Sequence, residues 1–246
     1  MGLLMSVIVG PRSTFLIRFL LDECLPPILR DQKWFFVPII KMYNKKMDPD
    51  FKLKAPQMTA EEFSHAYELL MPMRQTDVTL GVAEFVGNHL AGKTVLEVGC
   101  GNGDISLSCA KQGFDVTATD LIGENLERVE KKALDRGLTI KTRVVDIEQI
   151  PFADASFDTV LCLHTLEHVR NLPSAVSELV RVTRRRLVVV VPRERYHRYT
   201  CNYHLHFFGG AEQLTLLLGL GGLNSQIIDG AICYAAEKDA ACQPTT

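Results

Sequence analysis

The chain has 246 residues and a formal net charge of -2, which gives no bulk positive charge for holding a nucleic acid. Hydrophobic residues make up 47% and charged residues 23%, the balance of a folded globular chain and not of a disordered or fibrous one. The 7 cysteines are odd in number and form no Cys-x-x-Cys pair. That pattern speaks for reduced, mostly buried thiols in a cytoplasmic protein and against a disulfide scaffold.

The opening stretch MGLLMSVIVGPRSTFLIRFLLDECLPP is apolar but interrupted by Arg12 and Arg18. A membrane span needs roughly 20 predominantly apolar residues, so no transmembrane segment is expected. No basic region precedes the apolar run, which argues against a secretory signal. An amphipathic helix packed on the protein is expected, with weak contact to a membrane surface as the alternative. Pro11, Pro26, Pro27, Pro38, Pro49 and Pro56 chop residues 1–75 into short helices, read as an N-terminal helical cap. Trp34, Phe35 and Phe36 suggest a partly apolar acceptor, with packing in the core of the cap the preferred reading. In TAEEFSHAYELL, Thr59 and Glu62 have the spacing of a capping box, and Phe63, Ala66, Tyr67 and Leu70 follow at helical spacing.

From Asp77 the pattern alternates strand and helix, and one domain over 76–238 is expected, with 239–246 a disordered tail. Leu80–Leu90 reads as a helix, Thr94–Val98 as a strand, and Gly103–Gln112 as a helix opened by a glycine turn. Then follow a strand at Asp115–Thr119, a charged helix at Glu124–Arg136, and strands at Ile140–Val145 and Thr159–Leu163. A helix at Ser174–Val182, a strand at Leu187–Val191, a helix at Ala211–Leu218 and two short strands near Ser225–Ile228 and Ile232–Ala235 complete the series. Short apolar strands alternating with helices imply βαβ units, hence a mostly parallel sheet covered on both faces.

The turn VLEVGCGNGD carries Gly99, Gly101 and Gly103 at alternate positions. In an open α/β sheet such a turn lies at the carboxyl ends of the strands, where ligands bind. The spacing is one residue shorter than the dinucleotide fingerprint, and Asp104 would set a negative charge against a pyrophosphate at a helix start. A cofactor with a cationic group and no phosphate suits the turn better. Asp120 ends VTATD, where a carboxylate can accept from both hydroxyls of a ribose. Asp146 ends TRVVD, placed to take an exocyclic amine while Ile147 flanks an adenine.

VLEVGCGNGD, VTATD, VVDIEQIPF and FDTVLCLHTLEHV, in that order, resemble the class I S-adenosylmethionine-dependent methyltransferases, in particular the type 11 group. The resemblance covers roughly residues 76–236. It implies a Rossmann-like, seven-stranded, mostly parallel sheet with the last pair antiparallel. It also implies S-adenosyl-L-methionine as cofactor, in a pocket lined by Glu97, Gly99, Gly101, Asp120, Leu121, Asp146, Ile147 and Leu163. Arg74 is a further candidate, for the cofactor's carboxylate. The Pro-Gly-Gly type turn usual before the fifth strand is missing. Arg184–Arg186 stand there instead, read as solvated arginines at a helix end.

Methyl transfer to a hydroxyl or amine needs a proton acceptor, and histidine suits that near neutral pH. His164 and His168 follow the fourth strand, and His204 follows the fifth, so these are the candidate catalytic residues. Tyr196, Tyr199 and Tyr203 are candidates to wall the acceptor pocket. Cys201, His204 and His206 have a spacing that can hold zinc, but no fourth ligand stands nearby and no metal site is assigned. The expected function is methyl transfer to an oxygen or nitrogen of a small-molecule acceptor. A non-catalytic cofactor-binding scaffold, an RNA or protein methyltransferase, and a nicotinamide-dependent oxidoreductase are the alternatives.

Overall fold

A computed structural model describes residues 25–43, 48–68, 78–196, 198–199 and 203–238. Helices α1 (Pro27–Arg30), α2 (Lys33–Tyr43), α3 (Phe51–Lys54) and α4 (Ala60–Glu68) come first, with a 3-10 turn at Ala55–Gln57. The capping box is formed: Thr59 N donates to Glu62 Oε2 at 2.8 Å, and Glu62 N donates to Thr59 Oγ1 at 3.2 Å. These short helices cannot bury an apolar face alone. Phe36, Phe51, Ala55 and Phe63 gather instead on Ile122, Tyr199 and Tyr203, and Tyr203 stacks on Phe51 with ring centroids 3.9 Å apart. Trp34 stays 70% exposed, outside that cluster, contrary to its expected place in the cap's core.

Helix α5 (Leu80–Asn88) starts at an N-cap, Thr79, whose side chain accepts from Val82 N. The alternating series then runs β1 (Thr94–Val98), α6 (Asp104–Lys111), β2 (Asp115–Asp120), α7 (Gly123–Asp135), β3 (Lys141–Val144) and β4 (Phe157–Leu163). It continues with α8 (Leu172–Val182), β5 (Thr183–Pro192), α9 (Ala211–Leu218), β6 (Gly222–Ile228) and β7 (Ala231–Glu237). The strands form one 7-stranded sheet in the order β3-β2-β1-β4-β5-β7-β6, with β7 antiparallel to both neighbours and the other pairs parallel.

Central strands read as unbroken apolar runs because both faces of the sheet are covered. Leu96, Val160, Cys162, Leu187 and Val189 face α8 and α9 through Leu179, Leu214 and Leu218. Their neighbours in sequence, Val95, Leu161, Val188 and Val190, face α5 and α6 through Phe85, Val86, Ile105 and Cys109. This period of two puts alternate residues of one strand into two separate cores.

Arg184 and Arg185 are exposed to solvent, as expected, and Arg186 is half-buried. Their backbone departs from the expectation, for no loop intervenes: α8 ends at Val182 and β5 begins at Thr183. The backbone gains a ladder with β4 and β7, including the pairs Thr159↔Arg186 and Arg186↔Glu237. Carboxylates meet the charges: Arg184 Nη1 lies 2.9 Å from Asp158 Oδ1, and Arg186 Nη2 lies 3.4 Å from Glu237 Oε1.

Gly103 shows why the turn before α6 needs glycine. Its φ is +73°, and a Cβ there would stand 2.4 Å from Val129 Cγ2 on α7. Left-handed backbone and overpacking both penalise a side chain. Gly103→Ala is therefore expected to lower unfolding free energy by about 2–4 kcal/mol in urea titration; a loss below about 1 kcal/mol would mean α7 yields to the added methyl.

Candidate active site

The strand order reverses between β1 and β4, and there the strand tips leave a cleft open to solvent on one side. Its lining includes Gly99, Asp120, Leu121, Asp146, Ile147, Thr165 and His168, with Phe63 of α4 reaching in from the N-terminal helices. A crevice at the carboxyl ends of the strands beside a switch point is where open α/β sheets bind ligands.

The glycine turn faces inward. Gly99 N and Cys100 N donate to Thr119 O at 2.8 and 2.9 Å, and Gly103 N donates to Cys100 O at 2.8 Å. Gly101 N donates to Asp120 Oδ2 at 2.8 Å. A phosphate site needs such amides pointing at the ligand, and here these four are spent on the protein. Acids dominate the same region. Arg170 is paired to Asp146 at 3.4 Å and to Glu148 at 3.3 Å, and Asp104 meets Lys132 at 3.6 Å. The turn suits a ligand without phosphate and with positive charge.

Asp120 is 5% exposed. Its Oδ1 accepts from Ile122 N and Asn125 Nδ2, both at 3.0 Å. With Gly101 N on Oδ2, three of the roughly four acceptor positions of a carboxylate are taken. That leaves room for one further donor, on Oδ2, where the sequence suggested two. Asp146 is more open: Oδ1 accepts from Glu148 N at 2.9 Å, and Oδ2 faces Arg170 and the cleft. At Gly99 a Cβ would lie 2.2 Å from Thr165 Oγ1, whereas at Gly101 it would enter open space. Gly99 thus serves the packing of the turn after β4.

Other expected residues lie elsewhere. Leu163 is buried in the core facing α5 and α6 and does not line the cleft. Glu97 is 3% exposed and accepts a hydrogen bond from Ser106 Oγ of α6. Burial pushes its carboxyl up to about 7, the Ser106 bond opposing the rise. Arg74 and Cys201 lie outside the described residues.

The histidines gather behind the far wall of the cleft. His164 follows β4 with φ +50°, a conformation that a side-chain-bearing residue holds only when its surroundings enforce it. Its Nδ1 lies 3.5 Å from Glu167 Oε1, and His168 Nε2 lies 3.8 Å from the same oxygen. His204 Nδ1 meets Glu194 Oε2 at 2.6 Å, and its ring stands edge-on to His168 with centroids 4.7 Å apart. His168 alone of the three lines the cleft; His204 is 7% exposed. His206 turns away and pairs Nε2 with Val169 O at 2.9 Å, and burial holds its pKa below the usual imidazole value. Of the tyrosines, Tyr199 and Tyr203 pack in the cap cluster, and Tyr196 is 60% exposed beneath Lys52, whose Nζ lies 3.8 Å from its ring centroid.

Glu167 joins these groups, and the reading of the sequence passed over it. It is 1% exposed, and its carbonyl accepts from Leu205 N at 2.7 Å and His206 N at 3.1 Å. Burial pushes its carboxyl up, yet the His164 bond and the positive potential of His168, His164 and His204 outweigh it and hold it below the usual range. The signal was present as an acid flanked by histidines at −3 and +1 in HTLEH.

Residues 96–191 match a family described as methyltransferase domain. A ubiquinone biosynthesis O-methyltransferase of Idiomarina loihiensis is 34% identical over 137 residues, 55% of this chain and 56% of that one. The uncharacterized protein Rv1405c of Mycobacterium tuberculosis is 41% identical over 93 residues, 38% of this chain and 34% of that one. The chain thus spans about a third to just over half the length of these curated relatives. Among solved structures, the cyclase SpnF shares the fold with TM-score 0.60 at 16% identity, over 73% of this chain and 96% of that one. A methyltransferase of Methanosarcina mazei does so with TM-score 0.52 at 21% identity, over 62% and 96%.

Fold, switch-point cleft and the match over residues 96–191 are those of a class I S-adenosylmethionine-dependent methyltransferase domain. The matched segment is similar to the type 11 group of that class. S-adenosylmethionine is the cofactor of the class, and the acid-tipped strands with their inward-turned amides fit its phosphate-free, cationic nucleoside.

Glu97 gives a test of the wall beneath the cleft. Its folded pKa of about 7 exceeds the ordinary 4.5. The stabilisation from its retained proton is complete below pH 4.5 and is lost as pH rises through about 7. Glu97→Gln lacks that loss. Its unfolding free energy should gain on the wild type between pH 4.5 and 8, by on the order of 3 kcal/mol; a gap constant across that range would show that Glu97 titrates normally.

Proposed function

We propose that this chain transfers a methyl group from S-adenosylmethionine to an oxygen or nitrogen atom of a small, partly apolar acceptor. The observation that carries the reading is the cleft itself, an acid-tipped nucleoside site that ends at His168. Oxygen comes first, because relatives that match over part of their length are named O-methyltransferases. The low net charge and acidic cleft favour a small acceptor over RNA. No helix among the described residues is long and apolar enough to cross a membrane.

When bound, S-adenosylmethionine supplies an electrophilic methyl on a positively charged sulfur. Asp120 Oδ2 would hold one ribose hydroxyl, and Asp146 the exocyclic amine with Leu121 and Ile147 flanking the base. Phe63 and the N-terminal helices would form a lid over the acceptor and exclude water. His168 would take the acceptor's proton, directly or through its neighbours, as the new bond to carbon forms and the bond to sulfur breaks. His164 and His204 would act behind it, through Glu167 and the edge-on ring contact, by fixing the position of His168.

Full-length protein should transfer label from methyl-labelled donor to members of a panel of phenols, catechols and aromatic amines. His168→Ala should cut turnover by about 100-fold or more while S-adenosylhomocysteine affinity stays within about threefold; full turnover in that variant would remove His168 from the mechanism. Asp146→Ala should weaken S-adenosylhomocysteine by about 10- to 100-fold in calorimetry, the worth of a charge-assisted hydrogen bond. Unchanged affinity would remove Asp146 from the adenine site.

A further inference from the structure

We propose that Glu167, His168 and His204 bind one divalent first-row transition-metal ion at the inner wall of the cleft. One ligand atom from each lies within 4.8 Å of the others. His168 Nε2 stands 3.8 Å from Glu167 Oε1, near the roughly 3.4 Å that separates neighbouring ligands of a four-coordinate ion with bonds of about 2.1 Å.

Three independent observations support the site. First, Glu167 is 1% exposed and its Oε2 has no hydrogen-bond partner among the described residues. A buried carboxylate oxygen without a donor is costly, and a cation beside it removes that cost. Second, both imidazoles carry the outer contacts of metal ligands. His204 Nδ1 is held by Glu194 at 2.6 Å, and His168 Nδ1 faces Tyr203 O at 3.5 Å. Metal-bound histidines characteristically give their other nitrogen to a carboxylate or carbonyl, which fixes ring orientation. Third, the parts come from two segments clamped together, because Leu205 N and His206 N both donate to Glu167 O. The left-handed backbone at His164 and at Tyr203 shapes the turns on either side of that clamp.

Two imidazoles with one carboxylate suit zinc, iron, cobalt or manganese better than calcium or magnesium, which prefer oxygen ligands. Three protein ligands leave coordination positions on the side where His168 meets the cleft. Binding of the ion rests on this geometry alone. Its role rests on the methyltransferase reading and takes the place of proton acceptance by His168, whose nitrogens would then face the ion and Tyr203 O: an acceptor oxygen on the ion would lose its proton more readily, to solvent.

The probe is Co2+ added to the full chain after chelator treatment, with visible d–d absorption and metal analysis as readouts. The expected result is one equivalent per chain with an absorption band of nitrogen and oxygen ligation. Glu167→Gln and His204→Ala should each weaken binding by at least about 100-fold, and Glu194→Gln by about 10- to 100-fold through the orientation of His204. His65→Ala, at an exposed position, should bind as the wild type. Circular dichroism checks the fold, and if Glu167→Gln does not fold, wild type against His204→Ala decides. Absence of saturable Co2+ binding, or equal affinity in the wild type and all folded variants, overturns the site in favour of a purely hydrogen-bonded cluster. S-adenosylhomocysteine affinity of the same samples separates the two readings: cofactor binding without Co2+ removes only the metal site, and Co2+ binding without cofactor sustains the site and removes the methyltransferase reading.

Discussion

The end of β2 holds the glycine turn in place. Thr119 O takes the amides of Gly99 and Cys100, and the Asp120 carboxylate takes the amide of Gly101. The same carboxylate caps the start of α7 through Ile122 N and Asn125. One strand end therefore ties β1's turn to β2's following helix and spends the donors that a phosphate would need. What remains exposed is mainly acceptor: an oxygen of Asp120, the carboxylate of Asp146, and the apolar sides of Leu121 and Ile147. This hydrogen-bond pattern favours a cationic nucleoside over a dinucleotide.

On the other side of the switch point, the turn after β4 does comparable work with side chains of opposite chemistry. Gly99 lacks a Cβ because Thr165 occupies that space, so the two turns are fitted to each other. Beyond Thr165 the chain places Glu167 in the interior and then clamps the segment 203–206 to its carbonyl. A buried acid, several imidazoles and a second acid at Glu194 come within ion-pair distance of one another. Such a cluster is expensive to desolvate, and buried groups of this kind are enriched at functional sites.

The N-terminal helices belong to the same construction. Phe51 and Phe63 have no core of their own, and they bury themselves on Tyr203, Tyr199 and Ile122. Tyr203 also offers its backbone carbonyl to His168. Packing of the cap is thereby coupled to the residue that joins the cleft to the buried cluster.

Much of this was legible in the sequence, for local reasons. The run of β1 and the bounds of α9 follow from apolar patterning, the Thr59 capping box from spacing, and Asp120 and Asp146 from their places after apolar strands. Gly99, Gly101 and Gly103 stood out by their alternate spacing after an apolar strand, and the structure adds that all three hold left-handed backbone. Only tertiary contacts decided the rest. Arg184–Arg186 read as solvated residues of a loop, and Arg184 and Arg185 are indeed exposed, but the ladders from β4 and β7 and the carboxylates of Asp158 and Glu237 set them in β5. Glu97 and Leu163 follow the expected pattern yet face the cores, because alternation alone does not say which side of a strand meets a ligand. Glu167 shows the limit best. Its meaning depends on His204 and Glu194, which are distant in the chain, and long-range proximity is a property of the packed sheet and its loops that local spacing does not encode.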